Sequence, residues 1–121
     1  MSFKTLLAYQ KGFEQAMRCF ELSKTFPPEE RYYLTSQIRR PSRSVCAQIA
    51  EGYRKQDYPK HFASKLVDSN SENSETDMWL DFTEACGYAT STDLAAIREL
   101  NLEVGRLINY MINNPGKFGV K

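Results

Sequence analysis

The sequence predicts an all-α protein, an antiparallel up-and-down four-helix bundle whose second helix is kinked near Pro41. Four stretches carry apolar residues at steps of three and four, the spacing that places side chains on one side of an α-helix. Short segments rich in proline or glycine separate the stretches, and helices joined by short connections pack as antiparallel neighbours. We therefore expect a single domain over residues 1–121, with a flexible tail at 114–121.

The first predicted helix covers residues 3–24. Its large apolar side chains form one stripe, which we expect to face the core: Leu6, Phe13, Met17 and Phe20. Phe26-Pro27-Pro28 ends this helix, because a proline disfavours helical backbone in the residue before it.

The second predicted helix begins at Pro28 and ends near Lys55. Proline is tolerated in a first turn, where Glu29 and Glu30 also suit the positive end of the helix dipole. The apolar stripe of this helix consists of Leu34, Ile38, Val45, Ile49 and Tyr53.

Pro41 lies inside this second helix. A mid-helix proline removes one backbone hydrogen bond and costs about 3 kcal/mol. We therefore expect a kink or a short break over residues 39–42, with Ser42 as the cap of a new helical segment.

The third predicted helix begins at Pro59 and ends near Cys86, with Gly87 as its C-terminal cap. Its ends are apolar and contain Phe62, Leu66, Val67, Met78, Trp79, Leu80 and Phe82. The middle of this helix, residues 68–77, has no apolar side chain and consists of mediocre helix formers.

The fourth predicted helix begins at one of several N-caps within residues 90–93 and ends at Asn114-Pro115-Gly116. It has a continuous apolar stripe: Leu94, Ile97, Leu100, Val104, Leu107 and Met111, widened by Ile108 and Ile112.

Charge is divided along the chain although the formal net charge is only +1. Residues 31–65 contain eight Lys or Arg and two acids, a net charge of +6. Residues 66–103 contain nine acids and one base, a net charge of −8. The near-neutral total argues against a protein that coats nucleic acid by bulk charge, but it leaves two opposing patches.

The three cysteines, Cys19, Cys46 and Cys86, are widely spaced and follow no metal-ligand pattern. They are typical of small buried residues in a reducing compartment. No stretch approaches the roughly 18 apolar residues that a membrane span needs. We therefore expect a cytoplasmic protein with no membrane partner.

One candidate contact surface is the basic side of helix 2, for nucleic acid or another subunit: Arg39, Arg40, Arg43, Arg54 and Lys55. Arginine suits bidentate phosphate contacts, and Tyr53 and Tyr58 could stack on bases. The alternative is a solvated face, or one paired with acids from helices 3 and 4. The candidate oligomer contacts on helix 3 are Glu72, Glu75, Trp79 and Phe82.

Catalytic and metal sites are not predicted. Di-metal bundles use Glu-x-x-His pairs from two helices, whereas the single histidine, His61, has no acid three residues before it. No serine or cysteine has a histidine partner in a recognisable pattern, and the six glycines form no phosphate loop. We predict no enzyme, no cofactor and no metal, and interpret the polar run of helix 3 as a subunit contact or the lining of a wet channel.

The sequence also resembles a known family. The residues that carry the resemblance are Phe26-Pro27, Glu30, Leu34-Thr35, Gln37-Ile38-Arg39-Arg40, Ser44-Val45, Ala47-Gln48-Ile49-Ala50-Glu51-Gly52, Glu75-Thr76, Trp79-Leu80 and Gly87-Tyr88. They resemble the signature of the four helix bundle protein family, also called the S23 family, whose members are encoded by intervening sequences in large-subunit ribosomal RNA genes.

The resemblance implies an up-and-down bundle that assembles as a homopentamer, and it implies no catalytic residues. The family is also similar to the accessory variability protein of diversity-generating retroelements, a basic pentamer that binds RNA and a reverse transcriptase. This chain differs from the more basic members in its acidic segment after Lys65.

We therefore predict a non-enzymatic oligomeric scaffold or adaptor. The alternative is an RNA-binding protein that uses the basic face of helix 2 and is accessory to a nucleic-acid enzyme such as a reverse transcriptase. The charge division favours a ring in which that basic face meets acids of helix 3 or 4 from the next subunit. The rival hypothesis is that the two patches meet inside one subunit. Affinity in the ring is expected from apolar residues such as Tyr53, Trp79 and Phe82.

Overall fold

The computed structural model describes residues 2–121 and contains four α-helices. Their bounds are Leu7–Ser23 (α1), Leu34–Tyr53 (α2), Pro59–Ala85 (α3) and Ser91–Asn113 (α4). Three short 3-10 segments accompany them, at Phe3–Thr5, Pro28–Glu30 and Pro115–Phe118. Residues 2–121 contain no strand, and the predicted all-α four-helix class is confirmed.

The ion pairs between α2 and α3 connect residues in opposite chain order. On α2 and α3, Arg40 contacts Glu75, whereas Glu51, further along α2, contacts Lys65, which lies earlier on α3. Helix α1 packs on α2 and α4, and α3 packs on the same two helices. The chain therefore passes around the bundle in the order α1, α2, α3, α4.

Helix α2 is shorter than predicted at its start and is not interrupted by Pro41. Tyr33 has the non-helical angles φ −119° and ψ −105°, which separate the turn at Pro28–Glu30 from α2. Ser42 Oγ donates hydrogen bonds to the carbonyl oxygens of Ile38 (2.8 Å) and Arg39 (3.2 Å). The predicted start at Pro28, the break and the Ser42 cap are therefore wrong, while a bend at Pro41 stays a prediction.

The predicted signals between α3 and α4 are confirmed. Gly87 has φ +76°, the left-handed conformation that a glycine adopts without a Cβ clash, and the Tyr88 N–H reaches back to Thr83 O at 3.0 Å. Thr90 and Asp93 form a capping box, in which each side chain accepts a hydrogen bond from the other's backbone N–H. Hydrogen bonding to Thr90, first from its backbone N–H and then from its side chain, lowers the pKa of the Asp93 carboxyl.

Helix α1 turns a different side to the core from the one predicted. Phe13 and Met17 are 53% and 45% exposed, although we expected their stripe to be buried. The buried side consists mainly of small residues: Ala8, Gly12, Gln15, Ala16, Cys19 and Ser23. A Cβ added to Gly12 would lie 3.3 Å from Cys46 Sγ, so α1 and α2 approach too closely there for larger side chains.

The bundle interior has two apolar clusters. The first contains Leu6, Ala8, Val45, Ile49, Phe62, Leu66, Val104, Ile108, Met111 and Val120. The second contains Cys19, Phe26, Leu34, Ile38, Leu80, Leu94 and Ile97. The predicted stripes of α2 and α4 supply much of both clusters. Between the clusters lies a layer of buried polar residues that includes Gln15, Asn73 and Asn101.

The C-terminal segment contacts the bundle. Val120 is 7% exposed and belongs to the first apolar cluster. Gln56 Nε2 donates a hydrogen bond to Phe118 O at 2.6 Å, next to Gly119, which has φ +83°. The segment predicted as a flexible tail thus has packing contacts that the sequence analysis did not anticipate.

None of the helices within residues 2–121 combines the length and the hydropathy that crossing a membrane would need.

Candidate functional site

The basic side of α2 forms a groove with a volume of about 610 Å³, the basic groove. Residues four apart on a helix share one side, and the lining follows this spacing: Arg31, Tyr32, Thr35, Ser36, Arg39, Arg40, Arg43, Ser44 and Ala47. Four of these nine side chains are arginines, three carry small hydroxyls and none is acidic.

Two of the groove's arginines lie over an aromatic ring that α1 supplies. The guanidinium carbons of Arg39 and Arg43 are 4.7 Å and 5.6 Å from the centroid of the Phe20 ring. Lys24 Nζ lies 4.6 Å from the same centroid. We call these four residues the Phe20 cluster. Its cations are held near one another by cation–π contacts.

Arg40 has a different role from its neighbours. Its Nη2 lies 2.7 Å from Glu75 Oε2, and its Nη1 lies 3.8 Å from Glu72 Oε2. The basic and acidic patches therefore meet inside one subunit at this point, as the rival hypothesis expected. Glu72 Oε2 is buried and accepts no hydrogen bond from residues 2–121. The positive charge of Arg40, 3.8 Å away, therefore offsets the cost of burying this carboxylate oxygen.

The other two predicted basic residues lie at the far end of α2. Arg54 is eleven residues beyond Arg43, about 16 Å along a helix axis, and its guanidinium carbon lies 5.8 Å from the Phe3 ring centroid. Lys55 is exposed next to it. The five predicted residues therefore do not form one site: Arg39 and Arg43 are together, Arg40 is paired, and Arg54 and Lys55 are separate.

Two of the four predicted oligomer contacts of α3, Trp79 and Phe82, line a second groove of about 460 Å³, the aromatic groove. It is lined by Glu30, Tyr33, Leu34, Gln37, Trp79, Phe82 and Cys86. The rings of Trp79 and Phe82 are 5.5 Å apart, and Trp79 Nε1 donates to Glu75 Oε2 at 3.1 Å. Trp79 and Phe82 therefore belong to one surface. Glu75 contacts both Trp79 and Arg40, so it lies between this surface and Arg40.

The acid at the edge of the aromatic groove is already hydrogen-bonded. Glu30 Oε2 accepts a hydrogen bond of 2.8 Å from the Tyr88 hydroxyl. This bond raises the pKa of Tyr88 to about 12, because the carboxylate stabilises the protonated phenol. The groove therefore presents mainly apolar and aromatic surface.

The polar run of α3 is buried at three positions, Ser69, Asn73 and Thr76, while its other residues are exposed or half-buried. Asn73 Oδ1 accepts a hydrogen bond from Gln15 Nε2 at 3.0 Å, and Asn101 Nδ2 donates to Gln15 Oε1 at 2.8 Å. Our interpretation of this run as a channel or subunit contact is wrong for Asn73, which is 5% exposed. The sequence did not lead us to predict Gln15 and Asn101 as part of this layer. The available signal was a polar residue at a position whose helical spacing matches that of the buried apolar residues.

Groups that could bind a metal or act as nucleophiles do not converge in the described chain. Residues 2–121 hold no group of three His, Cys, Asp or Glu side chains with metal-binding geometry. Burial raises the pKa of Cys19 and of Cys46 to about 12, which disfavours the reactive thiolate. Cys86 is exposed, contrary to our expectation of a buried residue. His61 is also exposed, with its ring centroid 5.8 Å from that of Tyr58.

Comparison with known proteins supports the resemblance seen in the sequence. Residues 4–110 match a family model described as 23S rRNA-intervening sequence protein. The chain is also similar to the crystal structure of a protein of unknown function from the S23 ribosomal protein family of Bacteroides thetaiotaomicron VPI-5482. The two share 27% identity and a TM-score of 0.79, over 88% of this chain and 98% of the other. No curated protein matches the chain.

Proposed function

The chain belongs to the 23S rRNA-intervening sequence protein family, and from this premise we propose that it is a non-enzymatic scaffold that assembles with copies of itself in the cytoplasm. The observation that carries the proposal is the apolar surface on two separate sides of the bundle. The family description and the structural neighbour carry no enzymatic assignment, which agrees with this proposal.

The first surface is the outer side of α1. Phe13 and Met17, together with Tyr9, Ala16 and Cys46, border a groove of about 250 Å³ that has Arg43 at its edge. We call it the α1 face. Large apolar side chains that are exposed together are characteristic of contact sites in soluble proteins.

The second surface is the aromatic groove with the adjoining outer side of α3. Phe82 is 49% exposed, and Met78 and Val67 on the same helix are 41% and 52% exposed. These three residues share one outer side of α3, roughly opposite the buried side that packs into its own bundle. Aromatic residues such as Trp79 and Phe82 often dominate the affinity of protein contacts.

Two different surfaces on one subunit favour a head-to-tail contact, which closes into a ring when the rotation permits. We propose that the α1 face of one copy contacts the aromatic groove of the next. The family resemblance implies five subunits. Because Arg40 and Glu75 already pair within the subunit, apolar burial rather than these charges is expected to supply the affinity.

Single substitutions on the two surfaces test the scaffold. We expect Phe13→Ser and Phe82→Ser each to lower the mass measured by multi-angle light scattering at micromolar concentration, with helicity retained by circular dichroism. Leu102→Ser is the matched control, because Leu102 is 58% exposed on α4, outside both surfaces. A wild-type monomer under these conditions would refute the proposal, and so would equal loss of mass in all three variants.

The second candidate function is RNA binding by the basic side of α2. It is supported by the basic groove, which is lined by four arginines and no acid. We assign the contacts to Arg31, Arg39 and Arg43, since Arg40 is paired with Glu75. A gel shift with structured RNA tests this: the affinity of wild type should fall steeply with salt, because phosphate contacts release counterions. Affinity that is independent of salt would exclude it.

A further inference from the structure

We propose that the Phe20 cluster is a binding site for the phosphate group of a nucleotide, free or within a strand. For a strand as ligand, this inference rests on the second candidate function, RNA binding at the basic groove, and names the side chains that hold the phosphate; it does not rest on the scaffold function. It rests on how Phe20, Lys24, Arg39 and Arg43 are held, and on the lack of a carboxylate partner for the two arginines among the residues that the structure describes.

Arg39 is oriented by contacts on two sides. Its Nε donates a hydrogen bond of 2.7 Å to Ser23 Oγ, and the Ser23 hydroxyl donates in turn to Phe20 O at 2.7 Å. Ser23 is 2% exposed, so this anchor is fixed by the packing of α1. With Nε bonded to Ser23 and the guanidinium carbon 4.7 Å from the Phe20 ring centroid, the two terminal nitrogens of Arg39 are left to donate to a ligand. A fixed fork of donors is the arrangement that binds phosphate well.

Within residues 2–121, the positive charges of the two arginines of the cluster have no carboxylate partner. Across residues 2–121, no carboxylate lies within 4.0 Å of the guanidinium nitrogens of Arg39 or Arg43. Lys24 pairs with Glu21 at 3.3 Å, and this exposed acid is the one carboxylate bound to the cluster. Like charges brought together raise each other's energy, and a bound anion relieves the repulsion.

The surrounding groove fits a phosphate that carries a base. Thr35, Ser36 and Ser44 supply hydroxyl groups along the groove, beside the arginines. Tyr32 is 74% exposed at one end, with Arg31 5.3 Å from its ring centroid, and offers a surface on which a base can stack. A groove of about 610 Å³ is larger than a bare phosphate requires.

Binding is measured with three probes: inorganic phosphate, a 5′-mononucleotide and a labelled oligouridylate of about ten nucleotides. Chemical-shift titration follows the two small probes, and fluorescence anisotropy follows the oligonucleotide. We expect the double variant Arg39→Gln/Arg43→Gln to weaken binding of nucleotide or strand by at least about tenfold. Phe20→Leu keeps every charge but removes the ring, and we expect a loss of about threefold.

Arg106→Gln is the matched control, because Arg106 is an exposed arginine of α4 that forms no ion pair in residues 2–121. Its effect should stay below about twofold, as expected for one distant surface charge. Binding of the mononucleotide supports a free nucleotide as ligand, and binding of the strand alone supports a phosphodiester. Either result supports the site only if the double variant Arg39→Gln/Arg43→Gln also weakens that binding.

The proposal is overturned if neither nucleotide nor strand binds at about 1 mM. It is overturned equally if Arg106→Gln weakens binding as much as the double variant does, because bulk charge would then explain the affinity. Phe13→Ser separates this site from the scaffold: a dissociated subunit should still bind the probe. Native circular dichroism and thermal unfolding of each variant show that folding is retained.

Discussion

Asn73 and Asn101 exchange two hydrogen bonds between α3 and α4. Asn73 Nδ2 donates to Asn101 O at 3.0 Å, and Asn101 Nδ2 donates to Asn73 O at 2.9 Å. Each side chain therefore binds the backbone of the opposite helix, where the carbonyl is also part of a helical turn. This reciprocal geometry exists at one alignment of the two helices, and Gln15 from α1 extends it to a third. We infer that the polar layer sets the register of the bundle.

The first prediction concerns this layer. Asn101→Ala should lower the free energy of unfolding by about 2–4 kcal/mol, because it leaves buried polar groups of Gln15 and Asn73 without a partner. Urea unfolding monitored by circular dichroism measures the change. Asn109→Ala is the control, since it removes only an exposed side-chain hydrogen bond of 2.8 Å to Asn70 and should cost less than about 0.5 kcal/mol.

Equal losses in the two variants would show that the buried layer contributes no more than an exposed bond. Replacing Gln15, Asn73 and Asn101 together by leucine is a different experiment, because no unpaired group remains. Apolar replacement of a buried polar set can be neutral or stabilising, while the alignment of the helices becomes less well specified.

Helices α2 and α4 could be predicted from the sequence because their large apolar residues are the buried ones. Val45 and Ile49 on α2, and Val104 and Ile108 on α4, are all fully buried. When branched apolar side chains form a single stripe flanked by polar residues, only that side of the helix can face the core. The same pattern located the basic face of α2, because it lies opposite the stripe.

The orientation of α1 could not be predicted in this way. Two neighbouring sides of α1 have helical spacing: one carries Phe13 and Met17, the other Gly12, Gln15 and Ala16. The larger residues would bury more apolar surface, but the close approach of α1 to α2 admits only the smaller set. That distance is a property of the packed bundle. The pairing of Arg40 and the contacts of Phe20 likewise depend on which helices become neighbours.

The second prediction concerns the thiols. Native protein at pH 8 should react with a thiol reagent at one rapid equivalent, Cys86, because Cys19 and Cys46 are buried and their pKa is raised to about 12. Unfolded protein should react at all three cysteines. Absorbance of the released thiolate measures both, and Cys86→Ser should abolish the rapid reaction. Two or more rapid equivalents in the native protein would contradict the burial of Cys19 and Cys46.

The raised pKa of these two thiols also predicts a dependence on pH. The folded protein holds the thiol protons more tightly than the unfolded chain, whose thiols titrate near the ordinary value of 9.0. The stabilisation is therefore fully present below pH 9 and is lost as the pH rises towards 12. Cys19→Ala should reduce this alkaline dependence, measured as the urea midpoint between pH 8 and pH 10.

The last prediction separates the paired arginine from the unpaired ones. Arg40 is 57% exposed, so a double-mutant cycle with Arg40→Gln and Glu75→Gln should give a coupling free energy below about 1 kcal/mol, weaker in 1 M salt. Arg40→Gln should also leave nucleotide affinity within about twofold of wild type, whereas Arg43→Gln should lower it by about fivefold. The difference follows from Glu75, which already pairs with the Arg40 guanidinium, whereas no carboxylate of residues 2–121 pairs with that of Arg43. Equal losses of affinity would mean that Arg40 leaves Glu75 for the ligand. The ion pair between α2 and α3 would then compete with the bound phosphate, and adding nucleotide should lower the measured coupling between Arg40 and Glu75.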